Sequence, residues 1–590
     1  LDRPRMLPQS MAFTAFSEVS RSTTLSLFFD RMINSLHWIM KTAINFFNRI
    51  RRAIKPTHLV GLIMLTALWG FRHWNPPPLQ TLQLKTFDFY QNLKPREPKD
   101  LPIPVVVIDI DETSLEKYGQ WPWPRTLLAE LVDRLRESGA GVVGFDVFFP
   151  EYDRMSPTLL AENMRGLNDA LATQLRALPT TESVFADSMR KMRVVLGQGT
   201  LPEAMDTDSD LPVKAKIAFM GNRDRILARI PGFAGVLRNV PELESAALGL
   251  GMVALEPEID GVIRRVNMAF RVGDQVYPTI TLEIMRLALG QENLLFRLDQ
   301  KAQTQSIRIR GLKQIGTPEI PTDARFRTWV HYRPHDPEKM YISAADVLER
   351  KVGPERLQNA LTLIGTSALG LKDVRHTPLS GALPGVEVHA QLLEMMLTNS
   401  FLDRPPWVEN AEVFAVVLVG IIMIVLVPLL GATYTLLFAV ALIGGMIGFS
   451  WYAYTDLKVL VDAVYPSLSG LVLYMSLTYM NFIREERQKK QVRGAFSMYM
   501  SPALVEKLAE DPDLLRLGGE MKEMTLLFAD IRGFTTISEI YKEHPESLTE
   551  FINKFLTPMT GVILEREGTI DKYMGDCIMA FWNAPLDDDQ

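Results

Sequence analysis

The chain has one cysteine, Cys577, in 590 residues, so no disulfide can form within it. Any part lying outside the cytosol must fold on packing alone, which a segment of about 300 residues is large enough to do. Surplus positive charge is absent too: 63 Lys and Arg stand against 69 Asp and Glu, a net charge of −6, and this argues against nucleic acid as a partner. No Gly-Gly-Asp/Glu-Glu-Phe signature, kinase motif or nucleophile triad stands out. The opening Leu1-Asp2-Arg3-Pro4-Arg5 shows no cleavable signal peptide and no Met at position 1, so the numbered start reads as a fragment boundary or an upstream reading.

Apolar length is present in four places. The composition is 47% hydrophobic and 22% charged, so any membrane part is a minority of the chain. The first stretch, 54–74, reaches spanning length if Arg72 snorkels outward. Arg49, Arg51, Arg52 and Lys55 precede it and put its N-terminal side in the cytoplasm, while Pro76-Pro77-Pro78 ends it. Three further spans are predicted at 411–430, 432–454 and 459–482, and the basic exit Arg484-Glu485-Glu486-Arg487-Gln488-Lys489-Lys490 again marks the cytoplasmic side. Four crossings leave both termini inside and 79–410 outside. Within the N-terminal cytoplasmic segment 1–53, residues 22–50 read either as a basic amphipathic helix on membrane lipid or as a poorly ordered leader. The predicted fold class is an α/β multi-domain membrane protein.

The outer segment alternates strand and helix patterns. Pro104 to Asp111 reads as a buried strand ending in acids, 126–138 as an amphipathic helix, and 142–149 as the next strand, a parallel α/β unit. Residues 360–365 give another short buried strand, and 389–397 a helix leading to the membrane. Asp109, Asp111, Asp146 and Glu151 fall at strand ends, the edge that ligands favour in open α/β sheets. They read either as a cation or polar-ligand site, or as helix caps and partners of Arg125. Trp121 and Trp123, flanked by prolines, either line a pocket or pin a turn against the core.

Gly119-Gln-Trp121-Pro-Trp123-Pro-Arg125, Phe145-Asp146 and Pro384-Gly-Val-Glu-Val-His389-Ala390 resemble the CHASE family of sensor domains, second type. The resemblance covers about residues 80–480. It implies a periplasmic sensor on the bacterial inner membrane, followed by three spans and a signalling output domain, with an extracytoplasmic ligand it does not identify.

After the last span, 483–517 reads as a signalling helix and linker, with Ser501-Pro502 as a helix restart and Gly518-Gly519 opening the output domain, 518–590. Met524 to Asp530 reads as a buried strand ending in a carboxylate, and Arg532-Gly533-Phe534 as the turn. Thr536-Ile-Ser-Glu539 has capping-box spacing for a helix whose free N–H groups suit phosphate. Residues 568–581 read as a hairpin with Gly575-Asp576 at its tip. Two hard carboxylates, Asp530 and Asp576, suit two divalent cations that activate a hydroxyl and neutralise a leaving group. Cys577 beside them reads as a small apolar strand residue.

This region, about 520–590, resembles the class III nucleotidyl cyclases through Phe528-Ala-Asp530-Ile-Arg-Gly-Phe-Thr535 and Lys572-Tyr-Met-Gly-Asp576. The resemblance implies a ferredoxin-like α/β domain and a homodimer. It implies two Mg²⁺ or Mn²⁺ ions held by Asp530, Asp576 and the Ile531 carbonyl, with Phe534, Thr535 and Gly575 near the substrate. Lys572 stands where guanylate cyclases carry glutamate, which implies ATP as substrate and cyclic AMP and pyrophosphate as products. The family's adenine-pairing residue and its transition-state Asn and Arg lie well downstream of the second aspartate. Residues 1–590 alone are therefore expected not to turn over. The alternatives are a guanylate cyclase, or a non-catalytic receptor with a cyclase-like dimerisation module.

Overall fold

The run Val105–Ile110 is apolar on both faces apart from Asp109, and it is buried throughout. Such a strand needs layers above and below it. The computed structural model, which describes residues 56–99, 101–203, 213–299, 305–311, 318–368, 373–496 and 521–584, supplies both. The chain divides into two compact units. One takes in Leu59–Leu426 and Thr433–Tyr474; the other includes Val427–Ala432 and Met475–Gln590.

The larger unit is built on a seven-stranded sheet. Its parallel part runs Tyr341–Ser343, Val105–Ile110, Leu361–Thr366, Val142–Phe145, Val194–Leu201 and Gly249–Met252, and Gly235–Leu237 adds antiparallel to Val194–Leu201. Alternate residues feed two cores. Val106, Ile108 and Ile110 meet Leu128, Leu131, Val132 and Leu135 of helix Arg125–Glu137, with Phe185 and Met189 of helix Thr181–Arg190 beside them. Val105 and Val107 face the other way, towards Ile284 of helix Ile280–Ala288 and Val386, Ala390 and Leu393 of helix Gly385–Thr398. Each Val, Leu, Ile, Phe or Met side chain among them, fully buried, contributes about 1.5–3 kcal/mol.

The strands predicted as neighbours, Val105–Ile110 and Val142–Phe145, are separated by Leu361–Thr366, which pairs with both. Local pattern places a strand but does not choose its partner, and here the partner comes from far along the chain.

Helix Pro56–Trp74 is followed by Pro77–Leu93, a helix the sequence reading does not contain. The prolines end the first helix and begin the second, because a proline at the first helical position has no N–H to leave unpaired. Arg72 does not snorkel outward. It is 5% exposed and pairs with Glu412 at 2.7 Å. Arg404 binds the same carboxylate at 2.8 Å, and the Asp462 N–H donates to it at 2.7 Å. One buried carboxylate thus ties together helix Pro56–Trp74, helix Pro406–Tyr452 and the segment before Val464.

Among the described residues one helical run, Pro406–Leu457, is long and apolar enough to cross a membrane. The stretches predicted at 411–430 and 432–454 lie within it, and Gly431 leaves helical angles between them (φ 74°, ψ 172°). That positive φ is open to glycine with little penalty. The predicted 459–482 helix begins later, at Val464, and continues to Phe496. The restart at Ser501-Pro502 and the opening at Gly518-Gly519 lie outside the described residues.

In the smaller unit, strands Thr525–Ala529, Cys577–Trp582 and Thr569–Met574 form an antiparallel sheet in that order. Ile570, Ile578 and Ala580 are buried with Ile563 of helix Pro545–Glu565. Thr525–Ala529 is not the buried strand its sequence suggests: Leu526 and Phe528 are 56% and 58% exposed. The helix covers one face of this sheet, and these two side chains lie on the other.

Candidate functional site

Strand register decides where the candidate residues fall. Ala529 pairs with Ile578, so Asp530 leaves its strand at the end where the hairpin turns. Met574 pairs with Cys577, leaving Gly575 and Asp576 as a two-residue turn, with Gly575 at the positive φ (69°) such a turn requires. The Ile531 N–H donates to Asp576 Oδ2 at 3.0 Å. Asp530, Ile531 and Asp576 therefore share one sheet edge, although 45 residues separate the bonded pair. Asp530 is exposed and Asp576 half-buried.

Helix Phe534–Ile540 begins at Gly533, in the left-handed region (φ 73°), with no side-chain cap. The capping box expected at Thr536 to Glu539 does not form, because Thr536 already lies inside the helix and its N–H bonds the Gly533 carbonyl. Phe534 donates its N–H to the Ile531 carbonyl at 3.2 Å, and Thr535 is exposed. Lys572 is exposed beside Asp571, at 3.2 Å. It pairs in register with Met579, which pairs with Phe528 on the next strand. Lys572 and the exposed Phe528 therefore share the uncovered face of the sheet.

Do these residues suit divalent cations? Among the described residues no group of three or more His, Cys, Asp or Glu converges. Two carboxylates at one edge still fit Mg²⁺ or Mn²⁺, since magnesium keeps several waters and takes one or two carboxylates together with substrate phosphates. One oxygen of Asp576 is engaged by Ile531, and that contact fixes the carboxylate's position.

In the larger unit the four strand-end acids do not form one cluster. Asp109 accepts from the Ser367 N–H (2.9 Å) and hydroxyl (2.5 Å). Asp111 caps helix Glu112–Tyr118 through the Ser114 N–H and also accepts from the Ser343 hydroxyl. Asp146 is half-buried; desolvation and then the Asp373 carboxylate hold its carboxyl well above the usual range, with Arg375 opposing. Glu151 is exposed. Arg125 engages different acids from those expected: Asp153 accepts its backbone N–H at 2.7 Å, and Asp153 and Glu182 supply the charge facing it. Its guanidinium lies 4.5 Å over the Phe149 ring. Trp123 is buried, donates to the Gly119 carbonyl at 2.9 Å and contacts Trp121, so this pair secures a turn.

Burial pushes the Asp109 carboxyl up to about 6, against the Ser367 hydrogen bonds and with help from Asp111. Because the folded value is raised, the group stabilises the fold below pH about 4 and loses that contribution as pH rises through about 6. Asp109→Asn should therefore be more stable than wild type at pH 8, by about 1–3 kcal/mol. The advantage should vanish near pH 4. Buried His331 and His389, held neutral and lowered to about 3 and about 4, destabilise both proteins equally in acid and cancel in the difference. Thermal unfolding of both proteins across this range reads the effect, and a pH-independent difference would remove Asp109 as its source.

Sequence reasoning misses the arginines of the larger unit. Arg229, Arg265, Arg325, Arg327 and Arg404 gather with Arg72 around one cavity, and they come from separated parts of the chain. The one usable signal was Arg72 and Glu412, ionisable residues within or beside apolar helices, which require partners.

Comparison with known proteins gives short and partial matches at full-chain level. "Adenylate cyclase 1" of Rhizobium meliloti (strain 1021) is 33% identical over 93 residues, 16% of this chain and 14% of that protein. "Adenylate cyclase" of Anabaena cylindrica is 45% identical over 62 residues, 10% of this chain and 12% of that protein. An uncharacterised protein of Mycobacterium tuberculosis (strain ATCC 25618 / H37Rv) is 24% identical over 99 residues, 17% of this chain and 18% of that protein. The chain thus spans less than a fifth of the length of each of these relatives. The profile of the CHASE2 domain, by contrast, matches residues 61–428, well over half of the chain and most of its larger unit, and the chain belongs to the CHASE2 domain family.

Proposed function

We propose that this is a membrane receptor in which a CHASE2 sensor outside the cell membrane governs a cytoplasmic adenylate cyclase. The observation that carries the reading is the Ile531 N–H to Asp576 Oδ2 bond, which holds two carboxylate-bearing turns together at one sheet edge. The short matches to two adenylate cyclases support it. The family match supports a sensor ahead of the output domain. The reading takes four membrane crossings, at Pro56–Trp74, on either side of Gly431 and within Val464–Phe496, and the long apolar run Pro406–Leu457 supports a membrane location.

Asp530 and Asp576 would hold two Mg²⁺ or Mn²⁺ ions, which when bound supply charge neutralisation and a lowered hydroxyl pKa at the ATP phosphates. The chain's own part is positioning. The Ile531 N–H orients Asp576, and Gly575 lets the turn place it beside Asp530. The loop from Ile531 to Thr535 offers backbone groups to the triphosphate. Lys572 reads the base as a charged donor. A homodimer completes the site, and the uncovered face carrying Leu526, Phe528 and Lys572 supports that pairing.

The test offers the full-length protein in native membranes either ATP or GTP, with Mg²⁺ and with Mn²⁺. Cyclic AMP from ATP, with little product from GTP, is the expected result. Preference for GTP would overturn the role of Lys572. No cyclic product from either nucleotide would leave a CHASE2 receptor without this catalytic output.

A further inference from the structure

A cavity of about 450 Å³ opens in the larger unit where helix Pro56–Trp74 ends and helix Pro406–Tyr452 begins. That volume is typical of small-molecule sites. Six arginines line it, against Asp323 and Glu409. Four of the six already have acidic partners: Arg72 and Arg404 share the one carboxylate of Glu412, and Arg265 and Arg327 share Asp323 and Glu258. The guanidinium groups of the other two, Arg229 and Arg325, have no acidic partner among the described residues, although the Arg325 backbone N–H donates to Asp323 Oδ1. With its amide turned to satisfy both ends, Gln305 accepts from Arg229 and donates to the Asp323 carbonyl at 3.0 Å.

Aromatic rings back two of the arginines. Arg265 stacks 4.8 Å over Trp329, and Arg404 lies 5.6 Å from the centre of the Phe87 ring. Nε of the buried Arg72, Nε2 of Gln83 and Oγ1 of Thr322 are buried without hydrogen-bond partners, and all three residues line the cavity. A buried donor left unpaired costs about 1–3 kcal/mol. Planar guanidinium groups match phosphate oxygens two at a time.

We propose that this cavity binds a phosphate-bearing ligand, with Arg229 and Arg325 supplying the charge that the protein leaves uncompensated. Two sources share that chemistry. The cavity lies beside the start of the long apolar helix, within reach of a phospholipid headgroup, and it is large enough for a free phosphate ester. As the input of the receptor the site rests on the reading above. Binding itself does not, and it is measured without turnover.

The chain is purified in dodecyl maltoside, whose headgroup carries no phosphate, and its thermal unfolding is followed as inorganic phosphate is added, with chloride at equal ionic strength as the control. A parallel preparation adds phosphatidylglycerol to the micelles. Stabilisation by phosphate points to a free anion; stabilisation by phosphatidylglycerol alone points to a headgroup. In either case Arg229→Ala/Arg325→Ala is expected to weaken binding tenfold or more, the scale of about one or two charge-assisted hydrogen bonds. Arg325→Glu, at an exposed position, should do the same with less risk to the fold. A wild-type protein indifferent to both probes would overturn the proposal, and so would variants that respond as wild type does.

Discussion

With Glu412 replaced by alanine, the larger unit should lose about 3–5 kcal/mol of stability, the cost of leaving buried charge unpaired. The size follows from what one carboxylate does. It is 2% exposed, faces two guanidinium groups and accepts a backbone N–H as well. Its removal strands Arg72, itself 5% exposed, and the partly buried Arg404. Thermal unfolding in detergent, followed by tryptophan fluorescence, gives the loss. A companion variant separates charge from packing: Glu412→Met combined with Arg72→Leu and Arg404→Met removes all three charges and should recover much of the lost stability. If Glu412→Ala unfolds with wild-type stability, water reaches the network and it is not a structural tie.

The second large effect concerns catalysis. Asp576→Asn keeps an oxygen to accept the Ile531 N–H and removes the negative charge. On the proposed cyclase reading, cyclic AMP formation by the full-length protein should fall about 10²–10⁴-fold, because a held divalent cation is worth several kcal/mol at the transition state. Binding of Mn²⁺, read by electron paramagnetic resonance, should weaken in parallel, and far-ultraviolet circular dichroism should not change. A variant that keeps both its rate and its Mn²⁺ would take Asp576 out of the site.

Much of the sensor's secondary structure is legible in the sequence, because its strands are short apolar runs and its helices carry clear amphipathic spacing. Val105–Ile110 and Leu361–Thr366 fall where their patterns put them, and Val142–Phe145 covers the first half of the run expected to 149. Their order does not follow from pattern, since the entry of Leu361–Thr366 between the other two is a choice among distant partners. The hairpin around Gly575-Asp576 is legible because turn chemistry is local, whereas the exposure of Leu526 and Phe528 depends on what covers their face of the sheet. The same limit applies to charge. Asp153 and Glu182 take the role near Arg125 that nearer acids suggested, and the arginine-lined cavity draws on residues from Arg72 to Arg404. Spacing reads the turn at Gly575-Asp576 but not the helix start at Thr536, and it does not reach contacts closed by the fold.

The strand at Leu361–Thr366 also sets a clock. The ribosome delivers Val105–Ile110 and Val142–Phe145 first, yet the strip that joins them comes about 250 residues after the earlier one. At about 5–20 residues per second that is a wait on the order of ten to fifty seconds. During that interval two apolar ribbons stand with open edges, templates for mispairing. A nascent chain of this kind depends on whatever shields those edges until residue 366 has emerged.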